Sequence, residues 1–352
     1  MSPLPDLPSL SIIIPVYNGG ESFRNSLESI RKWRADAEVI VVADGESDGS
    51  WKLAEQYGFK VILLPECGGP ARARNIGAKA ASAELLFFTD ADVEIHPATV
   101  PRILYAFKES PELAALIGSY DDAPGASNFL SQYKNLFHHY THQTSSEEAS
   151  TFWGACGVIK RDIFLSLGGF TESYQKPCIE DIELGYRLRQ AGYKIALCKH
   201  IQVKHLKQWT PFTLLRAEVF YRALPWMALL LKIRQDNPQQ YQQFSSDLNL
   251  KWSSRLSVLL IACFCVATVL SFVWPLLVWA ALLCGLALLA INWSVYRFFY
   301  RKRGFWFSVG VVPWHWLYYF YSGLAFVIGV SRHQLARYLA AVGMRPAESM
   351  SR

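Results

Sequence analysis

The chain has 352 residues, enough for two domains that each bury a proper core. Its formal net charge is +6, yet no dense basic block or recognised nucleic-acid motif accompanies it, which excludes nucleic acid as a partner and leaves the arginines to face anionic lipid. The seven cysteines lack CxxC spacing, which excludes a cysteine-based metal site, and they read as buried thiols in a reducing compartment.

Met1 to Ser9 is proline-rich and polar, and the following apolar run is only seven residues long, so no signal peptide is expected and the first domain should stay in the cytosol. That run, Leu10 to Val16, is β-branched and reads as a buried parallel strand. A helix from Ser22 to Trp33 follows. The alternation continues with a strand from Glu38 to Ala43, a helix from Gly49 to Tyr57, a strand from Lys60 to Leu64, a helix from Pro70 to Ala81 and a strand from Glu84 to Thr89. Such a pattern predicts an α/β fold whose mainly parallel sheet is covered by helices on both faces.

Beyond this point come a helix from Val100 to Ser110 and a strand near Ala114 to Tyr120. Gln143 to Ser150 is polar and reads as a mobile loop. A helix from Arg161 to Leu167 closes at Gly168-Gly169, and another is expected from Glu180-Asp181 to Gly192, before a strand from Lys194 to Leu197. The histidines at 138, 139 and 142 have no acids or cysteines at ligand spacing and read as a polar helix face.

The second half is different in composition. Thr210 to Arg234 mixes Phe212, Leu214, Phe220 and Trp226 with Arg216, Arg222 and Lys232, as expected of a helix lying at a bilayer surface, with Pro225 as a kink. Leu256 to Asn292 carries no charge or histidine and predicts a two-helix membrane hairpin turning at Trp274-Pro275. Lys251 and Arg255 before it, and Arg297, Arg301, Lys302 and Arg303 after it, place both ends on the cytosolic side. A third apolar stretch, 305–331, either crosses once, sending Arg332, Arg337, Arg345 and Arg352 outside, or bends back at Pro313 and keeps them inside. The expected organisation is a cytosolic α/β domain over 1–205, an interfacial segment over 206–250, a membrane domain over 251–335 and a tail over 336–352. Such a chain belongs in a plasma membrane, as a multi-pass protein.

In an open α/β sheet, ligands sit beyond the carboxyl ends of the strands. Here those positions hold Tyr17-Asn18, Asp44 to Asp48, Glu66 to Gly69, and Asp90-Ala91-Asp92. Two carboxylates one residue apart at a strand end can reach a hard divalent cation, which would also take diphosphate oxygens and neutralise a departing nucleotide diphosphate. Alone, the same pair is a common acidic turn.

Five segments in order resemble the family 2 glycosyltransferases of the GT-A fold, in their membrane-anchored bacterial form. They are Ser11-Ile12-Ile13-Ile14-Pro15-Val16-Tyr17-Asn18, Val42-Ala43-Asp44-Gly45-Glu46-Ser47-Asp48-Gly49-Ser50, Gly69-Pro70-Ala71-Arg72-Ala73-Arg74-Asn75-Ile76-Gly77, Thr89-Asp90-Ala91-Asp92, and Glu180-Asp181. The resemblance implies that Pro15 and Tyr17 pack along a nucleobase beside Asn18. It implies that Asp44 accepts hydrogen bonds from base or ribose, and that Asp90 and Asp92 hold Mg²⁺ or Mn²⁺. Many relatives carry another acid where this chain has Ala43.

Arg72 and Arg74 fall in the first turn of a helix, where the dipole disfavours cations, so they either meet donor phosphates or are simply exposed. By the same resemblance Asp181 is the base that deprotonates an acceptor hydroxyl, which implies inversion by a single displacement. Read alone, Glu180 and Asp181 equally suit a helix N-terminus. His205 is either a third metal ligand, better suited to Mn²⁺ than Mg²⁺, or a structural histidine. Trp153, Gly154 and Glu180 are placed on the acceptor side.

The expected activity is transfer of one sugar from a UDP- or GDP-linked donor to a membrane-associated acceptor, such as a polyprenyl phosphate or a glycolipid. Two alternatives stand beside it: a processive polysaccharide synthase, whose interfacial Gln-x-x-Arg-Trp motif is met here only by Arg222 and Trp226, and an inactive scaffold that binds lipid. A nucleotidyltransferase would place a glycine-rich phosphate loop after the first strand, and Tyr17-Asn18-Gly19-Gly20 is a poor version of one. Oligomeric state is not readable from the sequence.

Overall fold

In the computed structural model, which describes residues 7–236 and 252–341, the alternating pattern becomes a nine-stranded sheet. Its first four strands, β1 (Leu10–Val16), β2 (Glu38–Asp44), β3 (Lys60–Leu64) and β4 (Leu85–Thr89), are parallel in the order β3-β2-β1-β4. Their crossovers are α1 (Gly20–Trp33), α2 (Ser50–Gln56) and α3 (Pro70–Ala80). Alternation along β1 explains the layering. Ile12, Ile14 and Val16 pack with Phe23, Leu27 and Ile30 of α1 in the main core, while Ile13 faces α3. Gly77 permits that close approach, since a Cβ there would lie 2.6 Å from Ile13 Cγ2 and 3.2 Å from Val42 Cγ2.

The sheet continues as β4-β8-β6-β9-β5 with both strand directions. It uses β5 (Val93–Ile95), β6 (Ala115–Tyr120), β8 (Cys156–Lys160) and β9 (Ile195–His205), while β7 (Glu148–Ala149) pairs with β9 outside that order. The remaining helices of this unit are α4 (Thr99–Glu109), α5 (Phe129–Thr144), α6 (Arg161–Ser166) and α7 (Glu180–Gln190). Three expectations are corrected here. The stretch from Gln143 to Ser150 holds the end of α5 and the paired strand β7 rather than a free loop. The final strand runs on to His205, because pairing with β6 resumes at Gln202 after a register shift and pairing with β5 holds Val203 to His205. The three histidines do not form a solvated face: His139 and His142 are buried.

The chain divides into two units, Met1–Thr210 and Pro211–Arg352. The second opens with α8 (Pro211–Arg216), passes through a π-helical segment, Ala217–Ala223, and continues as α9 (Leu224–Asp236). Pro225 lacks the N–H that an α-helix would direct one turn back, a local reason for the widened turn.

Next come α10 (Trp252–Leu270), α11 (Leu277–Ile291), α12 (Trp293–Arg303) and α13 (Phe305–Ala341), the last running through Pro313 as one helix. Trp274-Pro275 does lie in the turn between α10 and α11. Among the described residues only α10 is long and apolar enough by itself to cross a membrane, while α11 and α12 meet that test only together, bent by 63°. Asn292 ties this unit together: its amide donates to Ser257 Oγ at 2.9 Å and accepts from the Tyr319 hydroxyl at 2.7 Å. The flanking Lys251, the tail arginines Arg345 and Arg352, and residues 237–250 of the expected interfacial segment lie outside the described residues.

Candidate active site

The carboxyl ends of β1, β2 and β4 open onto loops that are laced to one another. Asn18 follows β1 in a left-handed conformation (φ 52°), and its Oδ1 accepts the Ser47 N–H at 2.8 Å. Gly20 donates to Asp48 Oδ2 at 3.2 Å. Between these ties the Tyr17 ring is exposed, with Pro15 half-buried below it at the end of β1.

Asp44, which closes β2, is 3% exposed. Its carboxylate accepts the backbone N–H groups of Gly68 at 2.9 Å and Gly69 at 2.8 Å, with Cys67 Sγ at 3.4 Å. It therefore anchors the loop before α3, and any base or ribose contact has to share an acceptor that three donors already use. Gly69 is needed for this turn: its φ is +92°, and a Cβ would overlap the Gln175 carbonyl. Arg72 is half-buried beside Gly68, with Nη1 3.5 Å from the Glu66 carbonyl.

Arg74 is not exposed on the helix face but 5% accessible and forked between two acids. Nη2 lies 2.6 Å from Asp90 Oδ1 and Nη1 lies 2.9 Å from Glu180 Oε1. Burial alone would lower its pKa, but the charges of Asp90, Glu180 and Asp181 overcome that penalty and raise it, so the cation persists. The expectation that Glu180 faces an acceptor is corrected for the same reason. Glu180 is 4% exposed, spends Oε1 on Arg74, and accepts the Cys178 N–H on Oε2 at 2.9 Å.

Asp92 and His205 meet where β5 and β9 pair. Their backbones are fixed by Val93 opposite His205 and by the Leu206 N–H donating to the Asp92 carbonyl at 2.8 Å. His205 Nε2 stands 3.5 Å from Asp92 Oδ2. Burial would raise the Asp92 carboxyl, but the charge and hydrogen bond of His205, together with the charge of Lys207, hold it at about 2.

Among the described residues no group of three or more His, Cys, Asp or Glu could hold a metal ion. The pair Asp92–His205 nevertheless suits a divalent cation that takes its other ligands from water and a diphosphate, since such cations commonly rely on one or two protein groups plus substrate phosphates. Asp90 flanks this pair with one oxygen committed to Arg74.

On the other side, Asp181 begins α7, and its Oδ2 accepts the Gly154 N–H at 3.0 Å. Gly154 also packs on Arg74: a Cβ there would lie 3.1 Å from the guanidinium carbon. Trp153, half-buried, stands edge-on to Tyr120 at 4.6 Å and to His142 at 4.8 Å between ring centroids. Tyr120 in turn stacks on the His205 imidazole at 4.5 Å and 6°. Tyr120, Asn135 and His142 therefore belong to the surroundings of the site although nothing in their local sequence marks them.

The family model described as Glycosyl transferase family 2 matches residues 11–168. Three curated proteins are similar. Against the O-antigen chain rhamnosyltransferase WbaN of Salmonella anatum the identity is 25% over 242 residues, covering 63% of this chain and 75% of that protein. Against the poly-beta-1,6-N-acetyl-D-glucosamine synthase of Staphylococcus aureus (strain COL) it is 24%, covering 54% and 48%. Against the uncharacterized glycosyltransferase YibD of Escherichia coli it is 39%, covering 25% and 27%, so the chain spans about half or less of the length of these last two relatives.

Among solved structures, the mannosyltransferase PcManGT from Pyrobaculum calidifontis, in complex with GDP-Man and Mn²⁺, superposes with a TM-score of 0.55 at 16% identity, covering 92% of this chain and 88% of that one. The Staphylococcus aureus protein TarS 1–349 with UDP-GlcNAc does so with 0.51 at 20% identity, covering 69% and 72%. These likenesses establish the GT-A fold.

Proposed function

Because residues 11–168 form a family 2 glycosyltransferase domain, we propose that this chain transfers a single sugar, with inversion, from a UDP- or GDP-linked donor to an acceptor held at a membrane. The observation that carries this reading is the fork of Arg74, whose one buried guanidinium joins Asp90 on the donor side to Glu180, the neighbour of Asp181. Tyr17 supplies an exposed ring for the nucleobase, and the loop anchored by Asp44 brings Arg72 toward the donor phosphates. Asp92 and His205 would hold Mg²⁺ or Mn²⁺, with Asp90 alongside; the ion would neutralise the leaving diphosphate.

Asp181 then takes the proton of an attacking hydroxyl while the Gly154 N–H keeps its carboxylate oriented, and Trp153 borders the acceptor. The apolar helix α10 supports a chain tethered to the plasma membrane and acting on its cytosolic face, where a polyprenyl phosphate or glycolipid acceptor would be confined.

A second reading, a processive polysaccharide synthase, is favoured by the similarity to the Staphylococcus aureus synthase. One experiment separates them. Detergent-solubilised protein is incubated with a panel of nucleotide sugars and a membrane lipid extract, and the labelled product is weighed by mass spectrometry. One added sugar on a lipid supports single transfer, a ladder supports the synthase, and no transfer from any donor overturns both.

A further inference from the structure

Asn135 lies on α5, 1% exposed, far from the acidic turns in sequence. Its Oδ1 sits 2.6 Å from His205 Nδ1, and its Nδ2 is buried without a hydrogen-bond partner. A buried amide that satisfies only one end is a poor contributor to stability, because the orphaned donor carries a desolvation cost that an apolar residue would avoid. Its one firm interaction is with the imidazole, and that interaction has a chemical consequence.

With Oδ1 as the acceptor, His205 must carry its proton on Nδ1. Nε2, 3.5 Å from Asp92 Oδ2, is then the nitrogen left to exchange: protonated it donates to that carboxylate, and with its proton released it offers a lone pair beside it. A divalent cation can take the place of that proton between the two atoms. Ligands about 2.1 Å from one divalent ion stand about 3.0–3.4 Å apart, close to this separation. Tyr120, stacked flat on the ring, blocks its rotation out of that plane.

We propose that Asn135 is a positioning residue that fixes His205 as the Nδ1–H tautomer, so that Nε2 and Asp92 together form a divalent-cation seat that prefers Mn²⁺. This rests on the metal-dependent reading above and assigns the tautomer to a residue outside it. An imidazole nitrogen in the seat favours Mn²⁺ over Mg²⁺, which keeps to oxygen ligands.

The test uses the full chain in detergent and reads Mn²⁺ binding directly, by the loss of the free-ion electron-spin signal, with UDP or GDP present. Asn135→Leu removes the acceptor and is expected to weaken Mn²⁺ binding about 10- to 100-fold, whereas Asn135→Asp keeps an acceptor and stays within about threefold. Ring-¹⁵N histidine spectra of the metal-free wild type should show His205 protonated at Nδ1. Wild-type binding that Asn135→Leu leaves unchanged overturns the role of Asn135 and spares the metal-dependent reading. Absence of Mn²⁺ binding by the wild type overturns both. Should Asn135→Leu fail to fold, an Nε2–H tautomer in the wild type, or loss of binding in a folded Asn135→Asp, overturns the proposal.

Discussion

The Arg74 guanidinium reaches Glu180 Oε1 at 2.9 Å across 106 positions of sequence, while its other terminal nitrogen holds Asp90 at 2.6 Å. Such a fork is rigid, planar and bidentate in a way that an ammonium is not. It couples the turn after β4 to the start of α7, so displacement of either acid is felt at the other.

Replacing Arg74 should therefore damage both stability and turnover. Arg74→Ala leaves Glu180 buried without its cation, at an expected cost of about 3–5 kcal/mol. Arg74→Lys keeps the charge but cannot fork, and should retain more stability than activity. Thermal melts and a transfer assay check this; wild-type melting and turnover in Arg74→Ala would refute the coupling.

Asp181→Asn preserves an oxygen for the Gly154 N–H and removes the base. With a hydroxyl acceptor, transfer should fall about 10²- to 10⁴-fold while donor affinity is kept. A phosphate acceptor is already ionised near neutral pH and should lose only a few-fold. Comparing the two acceptor classes on the same variant measures how much base the reaction needs.

His142 gives the first unit a defined pH response. Burial depresses its pKa to about 4 from 6.5, against a smaller upward pull from the Gly118 backbone. Between those values the unfolded chain binds a proton that the folded chain refuses, so stability is complete above about pH 6.5 and declines as pH falls toward 4. At pH 5 the loss should be about 2 kcal/mol. Asp92 works in a lower window: its stabilisation is present above 3.8 and is lost as pH falls through about 2. Melting temperatures at pH 7, 6 and 5 should therefore drop in the wild type and stay flatter in His142→Leu; equal slopes would rule the histidine out.

Two exposed thiols report on membrane placement. Cys67 lies on the loop anchored by Asp44, and Cys263 lies on α10. In inside-out vesicles an impermeant maleimide should label Cys67 at once and Cys263 only after detergent is added. Labelling of Cys263 in intact vesicles would contradict an embedded α10.

The parallel half of the sheet was legible because its strands are apolar runs and its helices have clear turns between them, from Leu10 through Thr89. The second half was not. Lys199 and His200 look like loop residues and lie at a register shift, but pairing with β6 on both sides of them, and with β5 from Val203, makes β9 one strand. Val93–Ile95 is too short to stand out after an acidic turn.

At the site, the strand-end acids were visible as a local pattern, but the burial of Arg74 and Glu180 was not. A charged side chain in a sequence reads as solvated until its partner, distant along the chain, is known. Asn135 had no signal at all: its meaning comes entirely from an imidazole 70 positions away.

The π turn at Ala217–Ala223 takes up one residue more than an α-helix would over nearly the same rotation. Tyr321 donates to Glu218 within that turn at 3.0 Å, and Gly329 sits so close to Met227 that a Cβ would come within 2.5 Å of Met227 Cγ. Deleting one residue between these two anchor points would let the turn wind back to ordinary pitch with both contacts nearly in place, whereas inserting one would carry everything after it round by about 100°. An insertion would swing Met227 off Gly329 while Glu218 kept its place, so a homologue one residue longer here would have to repack the whole seam, and one residue shorter would not.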